Sequence, residues 1–521
     1  MRSLLIRNAT TVPDRLAVVG ATGALTWREL DIRSNRLANA LMSLGVGRGD
    51  RVAILWPNSA EWMVVWSACH KLGVAALPVN ARLLPAEMAQ LMRLAQATTL
   101  FCGDRFAEAA DEVAAATDIK WCVSESGLAG SSAARTMSLE QLIAMGGRAE
   151  PPVSPDPDDE STVLFTSGTT GYSKAVVRTQ AMTVGLALAL AIENENASTP
   201  EVLVTAAPLY HTGGLVGVLK MCALAGTLVF AERLDPPVIL SLIEQYQATQ
   251  IMLLPPVAYC RLTKSQPGRQ FKSVREVFIS AGRCSMPLAH SIFDLFPNAR
   301  LRFTYGSTEA ASVTGITLGR EELLADPRLI ETVGRPIVPV EIRLVGEDGR
   351  DVAVGEVGEA WIRSPLAFHG YLGQTHTDAP ADNPDCAVIT DGWYHSGDLL
   401  RRDERGYYYV ADRRQDLIKT GGENVFSQEV EQALLENPLV QACAVVGIPD
   451  RRFEEAVAAA VVPHPGAALT AADLVAWCQG NLAGYKRPRH WAIVAELPVN
   501  SVGKVQKNVL RENAKTYFTA M

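Results

Sequence analysis

The stretch TSGTTGYSK, from Thr166 to Lys174, has the composition of a loop that binds an anion. Gly168 and Gly171 permit backbone conformations that are closed to residues with side chains. The backbone N–H groups of such a loop can converge on an anion together with its hydroxyl groups, and Lys174 adds positive charge. Those hydroxyl groups belong to Thr166, Ser167, Thr169 and Thr170. A Walker A motif has glycine directly before its lysine, and Ser173 stands there, so this is another kind of phosphate loop or a flexible connector.

Apolar residues directly before this loop, TVLF at 162–165, predict a strand that leads into it. Upstream, Thr26 and Glu29 have the spacing of a capping box, and the apolar residues after them recur at helical intervals until Gly45. An apolar strand at 51–56, a helix at about 61–72 and a second strand at 74–79 follow. Strand, helix and strand in this order predict a parallel βαβ unit.

Similar alternation continues through EVLVTAAP, LVFA and EVFIS, so we expect a large α/β domain of parallel and mixed sheets with helices. Residues 340–363 contain short strands joined by Gly and Asp turns, which are typical of an antiparallel, β-rich subdomain. Beyond them, the helices SQEVEQALLEN and AADLVAWCQGNL flank the strands QACAVVGIP and AVAAAVV, and these elements suit a small α+β domain. We place the boundary at Gln415, which predicts domains of residues 1–414 and 415–521.

The composition of the 521 residues excludes several classes of protein. The chain is too long for one hydrophobic core, and its 48% hydrophobic and 20% charged residues are ordinary for a globular enzyme. A net charge of −8 argues against a nucleic-acid partner. Nine scattered cysteines without a CxxC motif indicate reduced thiols and a cytoplasmic location. We expect no membrane span, because residues 181–192 are too few and Lys220 interrupts the apolar run at 215–231.

Further motifs follow the opening loop in a fixed order. They are PLYHTGG (208–214), YGSTEA (305–310), TVGRPI (332–337), GEVGEAWIR (355–363), GWYHSGDL (392–399), DRRQDLIKTGGENV (412–425), YKRP (485–488) and NSVGKVQK (500–507). With TSGTTGYSKAV, they make almost the whole chain resemble the acyl-adenylate-forming superfamily of acyl- and aryl-CoA synthetases, adenylation domains and luciferases. The superfamily loop is TSGTTGxPKGV, and this chain has Ser173 for the proline and Ala175 for the third glycine.

The resemblance implies a large N-terminal domain and a small, mobile C-terminal domain. It also implies an ATP-dependent ligase, which forms an acyl-AMP from a carboxylic acid, releases pyrophosphate and passes the acyl group to the thiol of coenzyme A (CoA). ATP and Mg²⁺ are the implied cofactors, and CoA is the implied co-substrate. The first step brings the carboxylate anion onto the polyanion ATP, so it needs cations and oriented hydrogen-bond donors more than a general base.

The resemblance assigns nucleotide-binding roles residue by residue. The loop at 166–174 would bind the β- and γ-phosphates, Glu309 would bind Mg²⁺, Thr308 would contact the α-phosphate and Tyr305 would stack on adenine. Asp398 would accept hydrogen bonds from the ribose hydroxyls, with Ser396 beside it where the superfamily usually has threonine. Arg413 would assist at the ribose or phosphate. The same site would include Gly282, Arg283, Gly306 and Ser307.

The implied catalytic residues are Lys504, Glu309, His211 and Thr166. Lys504, which follows Gly503 in the motif near the C-terminus, would be the adenylation lysine. It would reach the carboxylate oxygen and the α-phosphate as charge moves onto the leaving group. Gln415 holds the position of the hinge, where Asp or Lys is common in the superfamily.

Three features resemble aryl-CoA ligases of the chlorobenzoate and coumarate types and imply a CoA site. Gly421 and Gly422 would line the pantetheine tunnel, while Tyr485 and Arg487 would contact the CoA nucleotide. Phe453 stands where an aromatic ring stacks on its adenine. An alternative acceptor is an amine or amino acid, which would make the protein an amide synthetase. A third alternative is a non-catalytic protein that binds a nucleotide or acyl-adenylate. The loss of Lys504 or Glu309 would have favoured it, and both are present.

The acid pocket is implied by the residues around His211. His211 follows Tyr210 at the position where an aromatic ring gates entry of the acid, and small residues leave room beside it. The implied pocket contains Tyr210, His211, Gly213, Gly214, Ala281, Gly306, Ala311 and Val313. Arg283, where the superfamily favours a small residue, either faces solvent or contacts the acid or the nucleotide. We expect a medium-sized, cyclic or aromatic acid, and we consider a homodimer as an assembly.

Overall fold

The computed structural model describes residues 1–127, 134–166, 174–194, 200–253, 256–372, 389–500 and 504–520. Residues 167–173 of the predicted phosphate loop, among them Ser167, Gly168, Thr169 and Thr170, lie outside this part of the chain. The described residues form two compact units. The first contains Met1–Glu341 and Arg363–Ile389, and the second contains Ile342–Ile362 and Thr390–Met521.

The helices alternate with strands in the first unit and are fewer in the second. In chain order they are α1 (Arg2–Thr11), α2 (Trp27–Ser43), α3 (Ala60–Leu72), α4 (Pro85–Ala95), α5 (Ala107–Ala115), α6 (Leu139–Met145), α7 (Gln180–Ile192), α8 (Thr212–Leu224), α9 (Pro236–Tyr246), α10 (Pro256–Ser265), α11 (Met286–Leu295), α12 (Arg320–Ala325), α13 (Ser427–Leu435), α14 (Ala471–Asn481), α15 (Lys507–Glu512) and α16 (Ala514–Tyr517).

The strands are mostly short. The first sixteen are β1 (Leu16–Gly20), β2 (Gly23–Thr26), β3 (Arg51–Leu55), β4 (Ala75–Pro78), β5 (Thr99–Cys102), β6 (Trp121–Ser124), β7 (Arg135–Ser138), β8 (Glu160–Thr166), β9 (Lys174–Thr179), β10 (Val202–Thr205), β11 (Thr227–Phe230), β12 (Gln250–Met252), β13 (Glu276–Ile279), β14 (Arg300–Ser307), β15 (Ala311–Leu318) and β16 (Thr332–Pro336). The others are β17 (Glu341–Val345), β18 (Val357–Arg363), β19 (Gly370–Tyr371), β20 (Ile389–Thr390), β21 (Trp393–Arg402), β22 (Tyr408–Arg413), β23 (Ile418–Thr420), β24 (Glu423–Val425), β25 (Val440–Asp450), β26 (Glu454–Pro463), β27 (His490–Ile493) and β28 (Thr519–Ala520).

Two mixed sheets organise the first unit. One has the strand order β16-β15-β14-β13-β12-β10-β11-β1-β2, in which the strands from β14 to β1 are parallel. The other has the order β19-β9-β8-β4-β3-β5-β6-β7, in which β9 is antiparallel to both of its neighbours. The central strands are buried apolar runs, because helices cover the faces of parallel sheets.

The predicted βαβ unit is confirmed. Strands β3 and β4 are parallel and are connected by α3. The capping box is also confirmed, since the Thr26 side chain accepts from Glu29 N at 3.2 Å and Glu29 Oε2 accepts from Thr26 N at 2.8 Å. Both hydrogen bonds satisfy N–H groups that the first helical turn leaves without intrahelical partners.

The second unit contains an antiparallel group of strands and a separate sheet. Strand β21 pairs with β18 on one side and β22 on the other, which confirms the antiparallel character predicted for this region. The second sheet has the order β24-β23-β26-β27-β28, with β25 also paired to β26. Its two faces bury separate apolar clusters, one against α13 and α14 and the other against α15.

The α/β fold class is confirmed, with a large N-terminal and a small C-terminal part. The compact units group residues 342–362 and 390–414 with the C-terminal residues. The predicted boundary at residues 414 and 415 separates a large domain from a mobile one. Compact packing does not test which residues move together, so this boundary stays a prediction. Within the described residues, no helix is both long enough and apolar enough to cross a membrane.

Candidate active site

The phosphate-loop region begins and ends on the hairpin of β8 and β9. Thr166 closes β8 and lies opposite Lys174, the first residue of β9. The Thr166 hydroxyl donates to the Lys174 carbonyl oxygen at 3.5 Å, which is a weak hydrogen bond. The hairpin therefore brings the two ends of the predicted loop together.

The turn that carries Glu309 connects β14 to β15 and depends on glycine. A Cβ atom at Gly306 would lie 1.9 Å from the carbonyl oxygen of Ala311, so no other residue fits this backbone. Ala311 has a φ of +60°, and the Ser307 hydroxyl accepts from the N–H of Ala310 at 3.0 Å. Thr308 and Glu309 lie at the tip of this constrained turn.

Glu309 is held by residues of the segment 364–372. The Tyr371 hydroxyl donates to Glu309 Oε1 at 3.0 Å, and the N–H of Phe368 donates to the Glu309 carbonyl at 2.6 Å. The Lys174 ammonium lies 5.3 Å from the centroid of the Tyr371 ring, within the range of a cation–π interaction. Lys174, Tyr371 and Glu309 thus form a connected series from the phosphate loop to the turn.

Arg178 binds the same turn from β9. Its guanidinium donates to the carbonyl oxygens of Leu366 at 2.7 Å, Thr308 at 2.6 Å and Glu309 at 3.4 Å. Burial lowers the pKa of Arg178 to about 10, and the nearby Glu309 charge opposes that shift. The side chain therefore stays charged at neutral pH inside the protein.

Tyr305 and Thr308 are partly buried on or after the last residues of β14. Ala281, Gly282 and Arg283 are exposed in the connection between β13 and α11, where Ala281 has a φ of +59°. Exposure leaves Arg283 accessible to solvent and to a ligand alike. The roles assigned to these residues stay predictions.

His211 directly precedes α8 and packs on Tyr210. Their ring centroids are 4.7 Å apart. Burial lowers the pKa of His211 to about 4, with a smaller contribution from the Arg82 charge, so the imidazole is neutral at pH 7. Nε2 of His211 is buried and has no hydrogen-bond partner among the described residues. It can therefore serve as a neutral polar group toward a ligand.

The small residues near His211 have local structural roles besides the one predicted for them in the pocket. A Cβ atom at Gly214 would lie 2.2 Å from the Pro208 carbonyl oxygen, so the start of α8 requires glycine there. Gly213 lies in the first turn of the same helix. Ala311 and Val313 are buried on β15. Whether these residues line the acid pocket stays a prediction.

Asp398 and Arg413 lie opposite each other on β21 and β22 in the second unit. Asp398 is 5% exposed, and its Oδ1 accepts from Arg413 Nε at 3.2 Å. The Ser396 hydroxyl accepts from the N–H of Asp398 at 3.1 Å and donates to the Ala360 carbonyl at 2.7 Å. Serine therefore fulfils the local role of a hydroxyl residue at this position.

The charges of Asp398 and Arg413 also affect the pKa of Lys504. Its side chain is accessible to solvent, yet enough protein surrounds it that desolvation lowers its pKa to about 8. The charge of Arg413 adds to this effect, while Asp398 and Asp416 oppose it. Lys504 is therefore largely protonated at pH 7 and loses its charge within the accessible alkaline range.

Gly421 and Gly422 form the two-residue turn between β23 and β24. Their φ values are +61° and +85°, which a tight hairpin favours and which residues with side chains rarely adopt. The N–H of Gly421 donates to the Phe453 carbonyl at 2.8 Å, and a Cβ atom at Gly421 would lie 3.3 Å from Phe453 Cδ1. The structure therefore brings together the two glycines and the aromatic residue that were predicted for the CoA site.

Two arginine side chains lie over the Phe453 ring. The guanidinium of Arg489 lies 3.8 Å from the ring centroid and that of Arg452 lies 5.0 Å away. Tyr485 is 39% exposed, whereas Arg487 donates to the carbonyls of Leu482 at 2.8 Å and Gln479 at 3.1 Å. Arg487 thus has a structural role at the end of α14 in addition to the nucleotide contact predicted for it.

Gln415 lies exposed in the 3₁₀ turn Arg414–Asp416. Both neighbours form ion pairs: Arg414 with Glu359 at 3.3 Å and Asp416 with Arg511 at 2.5 Å. Gln415 itself carries no charge. The hinge role of this residue stays a prediction.

Comparison with known protein families shows the family to which this chain belongs. A family model of AMP-binding enzymes matches residues 5–372, and a model of the C-terminal domain of AMP-binding enzymes matches residues 429–504. The chain is a member of the AMP-binding enzyme family. This membership confirms the resemblance to the acyl-adenylate-forming superfamily and the class of the enzyme, an AMP-forming ligase.

Three similar AMP-binding proteins cover nearly all of the chain. A feruloyl-CoA synthase from Amycolatopsis sp. is 33% identical over 97% of both chains. The structure of o-succinylbenzoate CoA synthetase (MenE) from Bacillus subtilis with ATP and magnesium ion is 26% identical, with a TM-score of 0.83 over 98% of this chain and 99% of that one. The amide bond synthetase McbA from Marinactinospora thermotolerans is 27% identical, with a TM-score of 0.84 over 98% and 99%.

Two residues that support Glu309, Tyr371 and Arg178, were not among the predicted site residues. Tyr371 stands beyond the quoted motifs and gave no signal. Arg178 did give one, because it is a charged residue in a strand that is otherwise buried. A strand of this kind accepts arginine only where carbonyl or carboxylate groups receive its N–H groups.

Proposed function

We propose that this protein is an ATP-dependent ligase that forms an acyl-AMP from a carboxylic acid and transfers the acyl group to CoA. The observation that carries the proposal is the similarity to a feruloyl-CoA synthase across 97% of both chains, together with the presence of Glu309 and Lys504 in this chain. A non-catalytic binding protein would not require this pair of residues. We further infer a cytoplasmic enzyme, because the cysteines of the described part of the chain are free.

The donor set of the first unit suits a magnesium-bound triphosphate. Mg²⁺ prefers carboxylate oxygens together with phosphate, and Tyr371 holds Glu309 by one oxygen, which leaves Oε2 to act as a ligand. Bound there, the ion would neutralise charge that develops on the phosphates. The hydroxyl of Thr166 and the ammonium of Lys174, with the loop residues between them, would bind the β- and γ-phosphates. Thr308 would donate to the α-phosphate.

The second unit would supply the ribose contact and the adenylation cation. Asp398 would accept from the ribose hydroxyls, and Arg413 would hold the Asp398 carboxylate in place as it does here. Lys504 in its protonated form would donate to the acid's carboxylate oxygen and to the α-phosphate. These contacts stabilise the charge that moves onto the leaving pyrophosphate, and no general base is needed.

The acceptor in this proposal is the thiol of CoA. Phe453 would stack on the adenine of CoA, and the two arginines at its ring give that surface the positive charge that suits the CoA phosphates. Gly421 and Gly422 would leave space for the pantetheine arm. An amine acceptor is the second candidate, because an amide bond synthetase is 27% identical to this chain over nearly its whole length.

We propose a medium-sized, cyclic or aromatic acid as the substrate. A similarity to an enzyme named for feruloyl-CoA favours an aromatic acid over a long aliphatic chain. The neutral imidazole of His211 and the ring of Tyr210 would face such an acid at the entrance to its pocket. Arg283→Ala, assayed with a panel of acids, tests whether the exposed arginine selects among them. Unchanged preferences together with an unchanged KM for ATP would remove Arg283 from the site.

The deciding experiment measures pyrophosphate release from Mg·ATP with a panel of carboxylic acids. Each acid is supplied with CoA, with amino acids and with neither acceptor. We expect turnover that requires both an acid and CoA. Turnover with an amino acid but not with CoA would instead establish the amide synthetase, and the absence of turnover with every acid would contradict both assignments.

A further inference from the structure

Arg178 is an unusual buried cation. Only 4% of this residue is exposed, and none of the described residues forms an ion pair with it. Its guanidinium donates hydrogen bonds to three backbone carbonyl oxygens, those of Leu366, Thr308 and Glu309. Burying a guanidinium is costly, and a strand interior would be satisfied more cheaply by an apolar residue. The segments that these hydrogen bonds join indicate a role for the arginine.

The planar guanidinium joins three segments that are distant in sequence. Arg178 itself lies on β9, four residues after Lys174. Nη1 binds the segment 364–372 at Leu366, while Nη2 binds the turn at Thr308 and Glu309. The rigid, planar guanidinium fixes the distance between the carbonyl of Leu366, bound by Nη1, and the carbonyls of the turn, bound by Nη2. A flexible lysine does this less well.

A second group of hydrogen bonds connects the same three segments. The N–H of His369 donates to the Val177 carbonyl and that of Leu372 to the Ala175 carbonyl, both at 2.8 Å, so the segment runs beside β9. From this segment, Phe368 and Tyr371 bind the main chain and the carboxylate of Glu309. Displacing the segment would therefore displace the Glu309 carboxylate as well.

We propose that Arg178 is a positioning residue that fixes the Glu309 carboxylate relative to Lys174 and the phosphate loop. It acts through the backbone of the turn and through the segment that carries Tyr371, and it need not touch a substrate. The assignment of Glu309 to a magnesium-bound triphosphate rests on the proposed function. The hydrogen bonds that connect Arg178 to the segment 364–372 do not depend on the proposed function.

The test compares Arg178→Met with Arg302→Met. Arg302 is a matched control, because it is also a buried arginine, 7% exposed, but binds Glu193 at 2.8 Å and Thr317 at 3.2 Å. Hydrogen exchange of the Phe368 amide is measured in the full chain without ligands. We expect the Phe368 amide to exchange about tenfold faster in Arg178→Met, because the hydrogen bond of this amide to the Glu309 carbonyl depends on the position of the turn. We expect little change in Arg302→Met.

Magnesium dependence gives a second measurement. In Arg178→Met we expect the half-saturating Mg²⁺ concentration for acid-dependent pyrophosphate exchange to rise about fivefold to tenfold. The Kd for ATP in the presence of a chelator, measured by calorimetry, should stay unchanged. Arg302→Met should lower the melting temperature without altering either quantity. Equal effects of the two substitutions on Phe368 exchange and on magnesium dependence would reduce Arg178 to a stabilising residue and overturn the proposal.

A lysine variant keeps the test valid if the methionine variant fails to fold. Arg178→Lys retains the charge but lacks the rigid guanidinium that holds Leu366 and the turn together, so a smaller change in both measurements is expected. Arg302→Lys is its control. If the wild-type protein showed no acid-dependent exchange, the proposed function would fail while the hydrogen-exchange comparison still decided the role of Arg178.

Discussion

The Tyr371 hydroxyl lies 3.0 Å from Oε1 of Glu309 and donates a hydrogen bond to it. The same ring faces the Lys174 ammonium at 5.3 Å. One tyrosine thus contacts both the cation at the end of the phosphate loop and the carboxylate proposed to bind Mg²⁺. Its two contacts involve different parts of the side chain, so they can be separated by substitution.

Tyr371→Phe removes the hydroxyl and retains the ring. We expect kcat/KM for acid-dependent pyrophosphate exchange to fall about fivefold to tenfold, because a hydrogen bond to a charged group is lost. The Kd for ATP without Mg²⁺ should not change, since Lys174 keeps its aromatic neighbour. Unchanged kcat/KM at every Mg²⁺ concentration would exclude a role for the hydroxyl in placing Glu309.

The pH dependence of adenylation should report Lys504. Its pKa is lowered to about 8, so the protonated form is present below pH 8 and is lost as the pH rises through that value. We expect kcat/KM for pyrophosphate exchange, which reports the free enzyme, to fall about tenfold for each pH unit above 8. Lys504→Arg keeps the charge at all these pH values. A decline that persists unchanged in this variant would have to be assigned to another group.

Asp398→Asn should move that decline to lower pH. The Asp398 charge favours the protonated form of Lys504, and its removal leaves Arg413 to disfavour it further. The variant should also bind ATP more weakly, since the proposed ribose contact is lost. A pH profile identical to that of the wild type would show that Asp398 and Lys504 do not interact in the active enzyme.

Gly306→Ala tests the backbone of the turn. The new Cβ atom would lie 1.9 Å from the Ala311 carbonyl oxygen, so the free energy of unfolding should fall by about 1–3 kcal/mol and adenylation should decline. Gly480→Ala is the matched control. It lies within α14 with nothing within 4 Å of the new atom, and alanine there should stabilise the helix by about 0.5–1 kcal/mol. Equal unfolding curves for Gly306→Ala and the wild type would show that the turn can relax.

Phe453→Ala separates the two half-reactions. Loss of the ring should raise the KM for CoA about tenfold, in keeping with the loss of an aromatic stacking partner, and leave pyrophosphate exchange without CoA unchanged. The exchange reaction in the same variant is thus its own control. An equal loss in both reactions would indicate that Phe453 supports the hairpin of Gly421 and Gly422 rather than the acceptor.

The sequence predicted the elements well where local patterns determine them. The capping box at Thr26, the parallel strands around α3 and the strand before the phosphate loop all follow from short-range spacing. The family-like motifs also identified Glu309, Asp398 and Lys504 as candidates. Their motifs are contiguous, so no knowledge of the fold was needed.

Long-range contacts could not be predicted in the same way. Tyr371 reaches Glu309 across 62 positions, and Arg178 reaches Thr308 across 130. No periodicity encodes which carbonyl an arginine will meet. The pairing of β9 with β19 brings these residues together, and a two-residue strand such as β19 has too few residues to show a pattern.

The partners of Arg178 are carbonyl oxygens of the main chain, and every residue type possesses one. Substitutions at Thr308, Glu309 or Leu366 therefore leave the hydrogen bonds of the guanidinium available. An engineer can alter these three side chains one by one and still expect Arg178 to bind the same backbone beneath them. Activity lost in a Glu309→Gln variant would then report chemistry at the carboxylate, free of the ambiguity that a collapsed turn would introduce.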